Sequence, residues 1–313
     1  MIIKYISELT GLNSSYVSKV AKSANYRYKI YQIPKRHNKG FRIIAHPSSE
    51  LKLIQRLLAE NIFSQFPIHK SVFSYRKNIG IQNIAKVHLK NNYLLRLDFE
   101  NFFPSIKRSD IFRFLSENKL ENPFVLNKTD VEIICNIVCK DNCLAIGSPT
   151  SPIISNVILY NLDKLWHVNA KKMNIIYTRY ADDIYLSTNK QNILSEFFNS
   201  AINDLKNMNY PKLFFNHNKT VFTSKKHKRL VTGLYLTTDN NVSIGRSQKR
   251  YIKSLVHRYF IGEISDDLIS YLRGYLSYIN AVEPLFLTSL RTKYGNETIN
   301  SIFSAPLINK KLL

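Results

Sequence analysis

Asn174-Ile175-Ile176-Tyr177-Thr178-Arg179-Tyr180-Ala181-Asp182-Asp183-Ile184-Tyr185-Leu186-Ser187-Thr188 sets two adjacent carboxylates between two runs of strand-forming residues. Both runs are rich in β-branched and aromatic side chains, so the pattern predicts a hairpin with Asp182 and Asp183 at or beside its turn. A turn holds them rigidly. Two carboxylates about 4 Å apart repel by roughly 4 kcal/mol at an effective dielectric near 20, so ionising both in an enclosed site calls for a cation between them. Mg²⁺ suits that place, being a hard ion that takes one or two carboxylates together with phosphate oxygens.

The other Asp-Asp pair of the chain reads differently. Asp266-Asp267 follows Ser265 and precedes Leu268-Ile269-Ser270-Tyr271-Leu272, where acids in a first helical turn complement the helix dipole. A third relevant carboxylate lies upstream. Tyr93-Leu94-Leu95-Arg96-Leu97-Asp98-Phe99 is apolar enough for a buried strand with Asp98 at its exit, and Glu100-Asn101-Phe102-Phe103-Pro104-Ser105 turns the chain into a helix. An unpaired Asp98 in a core is costly. Brought beside Asp182, it makes a set able to hold two Mg²⁺ ions, one activating an attacking hydroxyl and one stabilising a leaving pyrophosphate.

Composition supports a polyanionic partner. The 313 residues carry 45 Lys plus Arg against 22 Asp plus Glu, a formal net charge of +23. Such an excess is expected of a protein that displaces counterions from nucleic acid. With 44% hydrophobic and 12% aromatic residues the chain has ample material for two or three packed units. No apolar run approaches the ~20 residues that cross a bilayer, and the start of the chain lacks a signal-peptide core, so a cytoplasmic location and no membrane partner are expected.

The order of the motifs resembles that of reverse transcriptases. Leu97-Asp98-Phe99-Glu100-Asn101-Phe102-Phe103-Pro104-Ser105 is followed by Gly147-Ser148-Pro149-Thr150-Ser151-Pro152 with Ser155-Asn156. Tyr180-Ala181-Asp182-Asp183 and Asn216-His217-Asn218-Lys219-Thr220 come next. A lone Tyr-Ala-Asp-Asp is weak, whereas four motifs in this order are specific. Val231-Thr232-Gly233-Leu234 adds the triplet of the retron branch, bacterial enzymes that copy part of their own noncoding RNA into multicopy single-stranded DNA. Near the start, Tyr31-Gln32-Ile33-Pro34-Lys35, Gly40-Phe41-Arg42-Ile43-Ile44 and Phe73-Ser74-Tyr75-Arg76-Lys77 are similar to the family's fingers motifs.

The resemblance implies an α+β right-hand polymerase: fingers at 1–88, a palm with its antiparallel catalytic sheet and interleaved fingers segments at 89–234, and a helical, basic, RNA-binding thumb at 235–313. It implies Asp98 and Asp182 as principal ligands of the two Mg²⁺ ions, with Asp183 helping and the Phe99 carbonyl completing a shell. Lys219 matches the family's proton donor to pyrophosphate, and Arg42 and Arg76 fall among the substrate contacts with Gly147, Pro149 and Tyr180. Phe103 matches the ring beneath the sugar of the incoming deoxynucleoside triphosphate. Val231, Thr232 and Gly233 fall on the RNA-binding side, as do Lys249, Arg250, Lys253 and Arg258.

The resemblance further implies priming from an RNA 2′-hydroxyl, a tight complex with the cognate noncoding RNA and its DNA product, and antiphage defence with an effector protein. Two other readings are a group II intron-like or diversity-generating enzyme, and a non-catalytic RNA-binding scaffold on the same fold. The first is disfavoured because no maturase or endonuclease segment is legible, the second because idle carboxylates would only weaken binding to phosphates.

Two positions depart from the pattern. Asn83-Ile84-Ala85-Lys86-Val87-His88 keeps the Ala and His of the retron Asn-Ala-x-x-His motif but has its Asn one position early, and Ile146 stands where Gln commonly precedes Gly147.

Several elements follow from periodicity alone. Leu51, Ile54, Leu57, Leu58 and Ile62 share one helical face, and Ser151-Pro152 opens a long helix carrying Ile153, Val157, Ile158, Leu162, Leu165 and Trp166. Residues 247–260 form an amphipathic helix with a cationic face, and Tyr271, Tyr275 and Tyr278 follow it. Cys135, Cys139 and Cys143 fall within and just past a helix that Thr129-Asp130-Val131-Glu132 opens as a capping box, and they read as free thiols packed as small hydrophobes.

Overall fold

The computed structural model describes residues 1–34, 40–118 and 125–306; Lys35 of the first fingers motif lies outside the described residues. The chain forms two compact units, one from Met1–Lys77 with Leu95–Val221 and one from Asn78–Leu94 with the chain from Phe222 on. This division by compactness differs from the expected division by role at 88/89 and 234/235. The physical reason is local: the helix Ile81–Val87 packs against strands near residues 234–243.

In the first unit, β1 (Tyr28–Pro34) and β2 (Phe41–Pro47) form an antiparallel hairpin with most of its side chains exposed. The strand β3 (Tyr93–Asp98) enters this unit at Leu95, and its alternation of Leu94, Leu95 and Leu97 with half-buried Arg96 delivers Asp98 to the strand exit. A small hairpin, β4 (Cys139–Lys140) with β5 (Cys143–Leu144), precedes the catalytic one. That hairpin is β6 (Ile176–Tyr180) with β7 (Asp183–Thr188), and the strands run side by side in the order β6-β7-β3. Tyr180 pairs directly with Asp183, so Ala181 and Asp182 alone make the turn.

Helices back the sheet. The long helix expected from Ser151 is two helices, Ser151–Ile158 and Tyr160–Lys172, meeting at Leu159. The break turns Leu165 outward, 44% exposed, and leaves Ile154, Val157, Leu162 and Trp166 as the core face. Trp166 stacks on Phe215 and meets the Tyr177 ring edge-on, while Phe99 lies nearly parallel to both Phe102 and Phe215, a run of aromatic rings under the strand exits. In Ser49–Asn61, Leu51, Ile54 and Leu58 are buried and Leu57 is half-buried.

The helix Lys128–Val138 is capped by Asn127 rather than Thr129. The Asn127 side chain accepts from the Asp130 N–H at 2.9 Å and the Asp130 carboxylate accepts from the Asn127 N–H at 3.3 Å. Cys135 and Cys139 are buried, and burial pushes the Cys135 thiol up to about 12, which makes it inert. Cys143 is half-buried.

In the second unit, which the chain enters on β8 (Val221–Ser224), β9 (Arg229–Val231), β10 (Leu234–Leu236) and β11 (Val242–Ser243) form a three-stranded sheet in the order β11-β10-β9. Among the described residues the helices Arg246–Phe260, Asp266–Val282, Pro284–Tyr294 and Asn296–Ser304 follow. Asp266 and Asp267 occupy the first turn of their helix, the dipole-complementing place expected of them. The displaced Asn83 caps Ile81–Val87 by accepting the Gly80 N–H at 2.8 Å, and His88 is fully buried, where desolvation pushes its imidazole down to about 3 and keeps it neutral. Among the described residues no helix is long and apolar enough to cross a membrane.

Candidate active site

Asp98, Asp182 and Asp183 meet at the adjoining ends of β3 and β7. The exit of β3 is tied down by backbone hydrogen bonds. The Phe99 N–H donates to the Asp182 carbonyl at 3.1 Å, the Asn216 N–H donates to the Asp98 carbonyl at 2.8 Å, and the Glu100 N–H donates to the Phe214 carbonyl at 2.9 Å. These bonds join three segments distant in sequence: the strand exit, the acidic turn and the Phe214–Asn216 segment. Just past that segment, Asn216 caps a single helical turn, His217–Lys219, by accepting the Asn218 N–H at 3.1 Å. The turn delivers Lys219 to the strand exit.

Two of the three carboxylates have a cation of their own. The Lys219 ammonium donates to both oxygens of Asp98, at 2.8 and 2.9 Å. Arg96 donates to Oδ1 of Asp183 from Nε at 3.0 Å and from Nη2 at 2.9 Å. Arg96 is not among the residues that the motifs point to. Its signal was the period of two along β3, which places residue 96 on the same side as Asp98.

Among the described residues Asp182 has no such pair. Burial pushes its carboxyl up to about 6, with the charges of Asp183 and then Asp98 adding to the rise. Asp183 is also raised by burial, with Arg96 opposing the rise. Among the described residues the cluster therefore holds more negative charge than Arg96 and Lys219 neutralise. The chemistry of the donors, hard carboxylate oxygens with an undercompensated Asp182, suits a divalent cation such as Mg²⁺, although among the described residues no group of three or more acids, histidines or cysteines is arranged to hold a metal ion.

Other expected residues surround this point or lie elsewhere. Phe102 is buried beneath the strand exit, whereas Phe103 is half-buried with its ring 5.4 Å from that of Phe102. Gly147 has φ +111, and a Cβ there would lie 2.7 Å from the Ala45 carbonyl oxygen and 3.1 Å from Cγ2 of Ile44. Only glycine allows that approach to β2. The Ile146 carbonyl accepts the Ala45 N–H at 2.8 Å, so at this position the backbone, whatever the side chain, holds β2. Arg42 is exposed on β2 opposite Ile33, Arg76 donates to the Val72 carbonyl at 3.1 Å, and Pro149 and Tyr180 are half-buried.

The RNA-side residues all belong to the second unit. Val231 is fully buried and serves its core, while Thr232 and Gly233, with φ of +48 and +84, form the tight turn between β9 and β10. On Arg246–Phe260, Arg250, Lys253 and Arg258 are exposed, and Arg258 donates from Nε to the Glu263 carbonyl at 2.9 Å. Lys249 differs in pairing with the half-buried carboxylate of Glu283, while both it and Lys253 lie over the Phe286 ring, at 5.2 and 5.7 Å. The rings of Tyr271, Tyr275 and Tyr278 lie side by side at 5.6 and 5.4 Å.

Comparison with known proteins agrees with the geometry. The family profile described as reverse transcriptase (RNA-dependent DNA polymerase) matches residues 33–236. The chain is 38% identical over 280 residues to the retron Ec83 reverse transcriptase of Escherichia coli, covering 88% of this chain and 89% of that one. It is 33% identical over 305 residues to the retron Ec73 reverse transcriptase of the same organism, covering 95% and 96%. Among solved structures, apo telomerase from Candida tropicalis aligns with a TM-score of 0.51 at 14% identity, over 95% of this chain and 62% of that chain, a likeness of fold. The chain belongs to the retron reverse transcriptases and is an RNA-directed DNA polymerase with the α+β fold of that family.

Proposed function

We propose that this enzyme copies part of a cognate structured noncoding RNA into multicopy single-stranded DNA, starting from a 2′-hydroxyl of that RNA. The observation that carries the chemistry is the meeting of Asp98, Asp182, Asp183 and Lys219 at one pair of strand ends. Asp98 and Asp182, with Asp183 and the Phe99 carbonyl, would hold two Mg²⁺ ions. Such ions, when bound, lower the pKa of the attacking hydroxyl and neutralise the leaving pyrophosphate.

The chain's own residues supply the remainder. Asp182, raised by burial, is the carboxylate whose charge has most to gain from a cation. Lys219, which rests on Asp98, would pass to the leaving group and give it a proton and a positive charge. Arg42 and Arg76 would face the triphosphate, Gly147 and Pro149 the nucleotide, and Phe103 its sugar. By role, 1–88 would serve as fingers, 89–234 as palm with interleaved fingers segments, and 235–313 as thumb. Thr232, Gly233, Arg250, Lys253 and Arg258 would grip the RNA in the second unit, with Val231 supporting their turn from the core. The setting is the bacterial cytoplasm, in antiphage defence beside an effector protein.

The test is to purify the protein from its host and look for co-purifying RNA covalently joined to single-stranded DNA. Ribonuclease should leave a DNA strand with a residual branched nucleotide at its 5′ end. DNA with a free 5′ end, or no DNA in an active preparation, would overturn the priming assignment.

A further inference from the structure

Ala181 adopts φ +55, the left-handed region that a non-glycine residue enters at a cost. Such a conformation persists only where surrounding groups hold it, and both backbone polar groups of Ala181 are held by buried side chains. Its N–H donates to the Ser74 hydroxyl at 2.9 Å. Its carbonyl accepts from Nη1 of Arg179 at 3.2 Å. The carbonyl belongs to the peptide unit that leads into Asp182, so its direction sets where the Asp182 carboxylate points.

Arg179 is itself immobilised. It is fully buried and forks onto Asp163 of the helix Tyr160–Lys172, from Nε to Oδ1 at 2.8 Å and from Nη2 to Oδ2 at 2.6 Å. Tyr177 donates to the same Oδ1 at 2.6 Å. Asn156 closes the circuit, accepting from Nη1 at 3.3 Å and donating to the Ser74 carbonyl at 3.1 Å. The backbone adds a second tie: the Arg179 N–H donates to the Ser71 carbonyl at 2.8 Å, and the Phe73 N–H donates to the Arg179 carbonyl at 2.9 Å. A buried guanidinium with a carboxylate on one side has no need of a catalytic turn on the other. The planar fork satisfies both at once, as a lysine ammonium does not.

We propose that Arg179 is a positioning residue of the polymerase reaction: anchored on Asp163, it fixes the carbonyl of Ala181 and, with Ser74 on the N–H, holds the turn that aims Asp182. The inference rests on the assignment of Asp182 to the active site. It makes the segment Ser71–Ser74, which runs into the fingers motif beginning at Phe73, part of the machinery that holds the acidic turn.

The experiment is single-turnover primer extension with Arg179→Lys and Ser74→Ala, together with hydrogen exchange of the peptide covering residues 176–188. Arg179→Lys keeps the charge opposite Asp163 but gives up the fork. It should lower kcat about tenfold or more, since a small misplacement of a reacting group is costly, with the KM for deoxynucleotide within about threefold. Exchange at Ala181 and Asp182 should quicken. Leu205→Ala, a buried substitution in the helix Ile193–Asn207, serves as the control for lost stability and should keep kcat within about twofold below its melting range.

A folded Arg179→Lys with kcat within threefold of the wild type and unchanged exchange overturns the inference, as does a loss confined to KM or one that Leu205→Ala reproduces. Where Arg179→Lys does not fold, Ser74→Ala decides: a kcat at half the wild-type value or above overturns it. Asp182→Asn in the same assay separates the two readings. Full extension there overturns the site assignment and the inference with it, whereas loss there with full activity in Arg179→Lys overturns only the inference.

Discussion

The ammonium of Lys219 lies 2.8 and 2.9 Å from the two carboxylate oxygens of Asp98, a charge pair closed across 121 residues of chain. Asp98 is nearly buried and Lys219 is 40% exposed, so the lysine covers the acid from the solvent side. The same contact that steadies Asp98 keeps an ammonium beside the carboxylates of the proposed active site.

Lys219→Ala should therefore slow nucleotide addition by roughly 10²-fold, the low end of what a positioned proton donor contributes. The KM for deoxynucleotide should move only a few-fold. Single-turnover extension across pH 6–9 is the check: a rate within about threefold of the wild type, with the alkaline limb unchanged, would remove Lys219 from proton transfer.

Asp182→Asn is nearly isosteric and keeps the turn, but removes the charge that calls for a cation. Extension should fall roughly 10³-fold or more, corresponding to several kcal/mol of lost transition-state stabilisation. Activity within about tenfold of the wild type would show that the reaction does not run through Asp182.

The raised carboxyl of Asp182 predicts a stability effect of definite sign. Its pKa is near 3.8 in the unfolded chain and about 6 in the folded one, so between these values the native state binds more protons and loses stability as pH rises. In chelator, wild type and Asp182→Asn should be equally stable near pH 4. Near pH 7 the variant should be the more stable by about 2 kcal/mol, allowing for partial solvent access. Added magnesium should narrow that gap by stabilising the wild type. Thermal melts at the two pH values would show it, and parallel pH dependences of the two proteins would refute it.

Phe103→Ala should admit ribonucleotides. Removing the half-buried ring beside Phe102 opens space at the proposed sugar position, and discrimination should fall by roughly 1–3 kcal/mol, the worth of one steric contact in a pocket. Competition between ribo- and deoxynucleotides measures this directly; equal discrimination in variant and wild type would place the sugar elsewhere.

The basic helix Arg246–Phe260 divides into two kinds of cation. Arg250→Ala with Lys253→Ala should flatten the salt dependence of RNA binding by up to about 2 units of slope and leave melting nearly unchanged. Lys249→Ala should instead lower the melting temperature, because it removes the cation from the half-buried carboxylate of Glu283 and leaves it only the Ile244 N–H, among the described contacts. A salt titration and a melt on each variant distinguish the two. An unchanged slope in the double variant would make Arg250 and Lys253 a solvated face.

The hairpin of Ile176–Thr188, the strand ending at Asp98 and the acids opening Asp266–Val282 were legible because alternation and capping report local backbone geometry. The split at Leu159 was not, since an apolar stripe continues through the break and Leu165 continues it in sequence while facing solvent in space. Asn127 took the cap expected near Thr129 for a similar reason: capping residues crowd that stretch, and only the helix's packing chooses among them.

By itself, then, the sequence determined which residues are strand ends, turns and helix faces, and the order of its motifs determined the family. It could not say which cation serves which carboxylate. Arg96 reaches Asp183 across 87 residues and Lys219 reaches Asp98 across 121. Those pairings are products of strand order, since β3 lies beside β7 and not beside its chain neighbours. The same holds for burial. Val231 and Lys249 look like surface recognition residues by motif and charge, yet one packs into a core and the other covers Glu283. Period and composition describe a segment alone, whereas desolvation and ion pairing depend on what the folded chain brings against it.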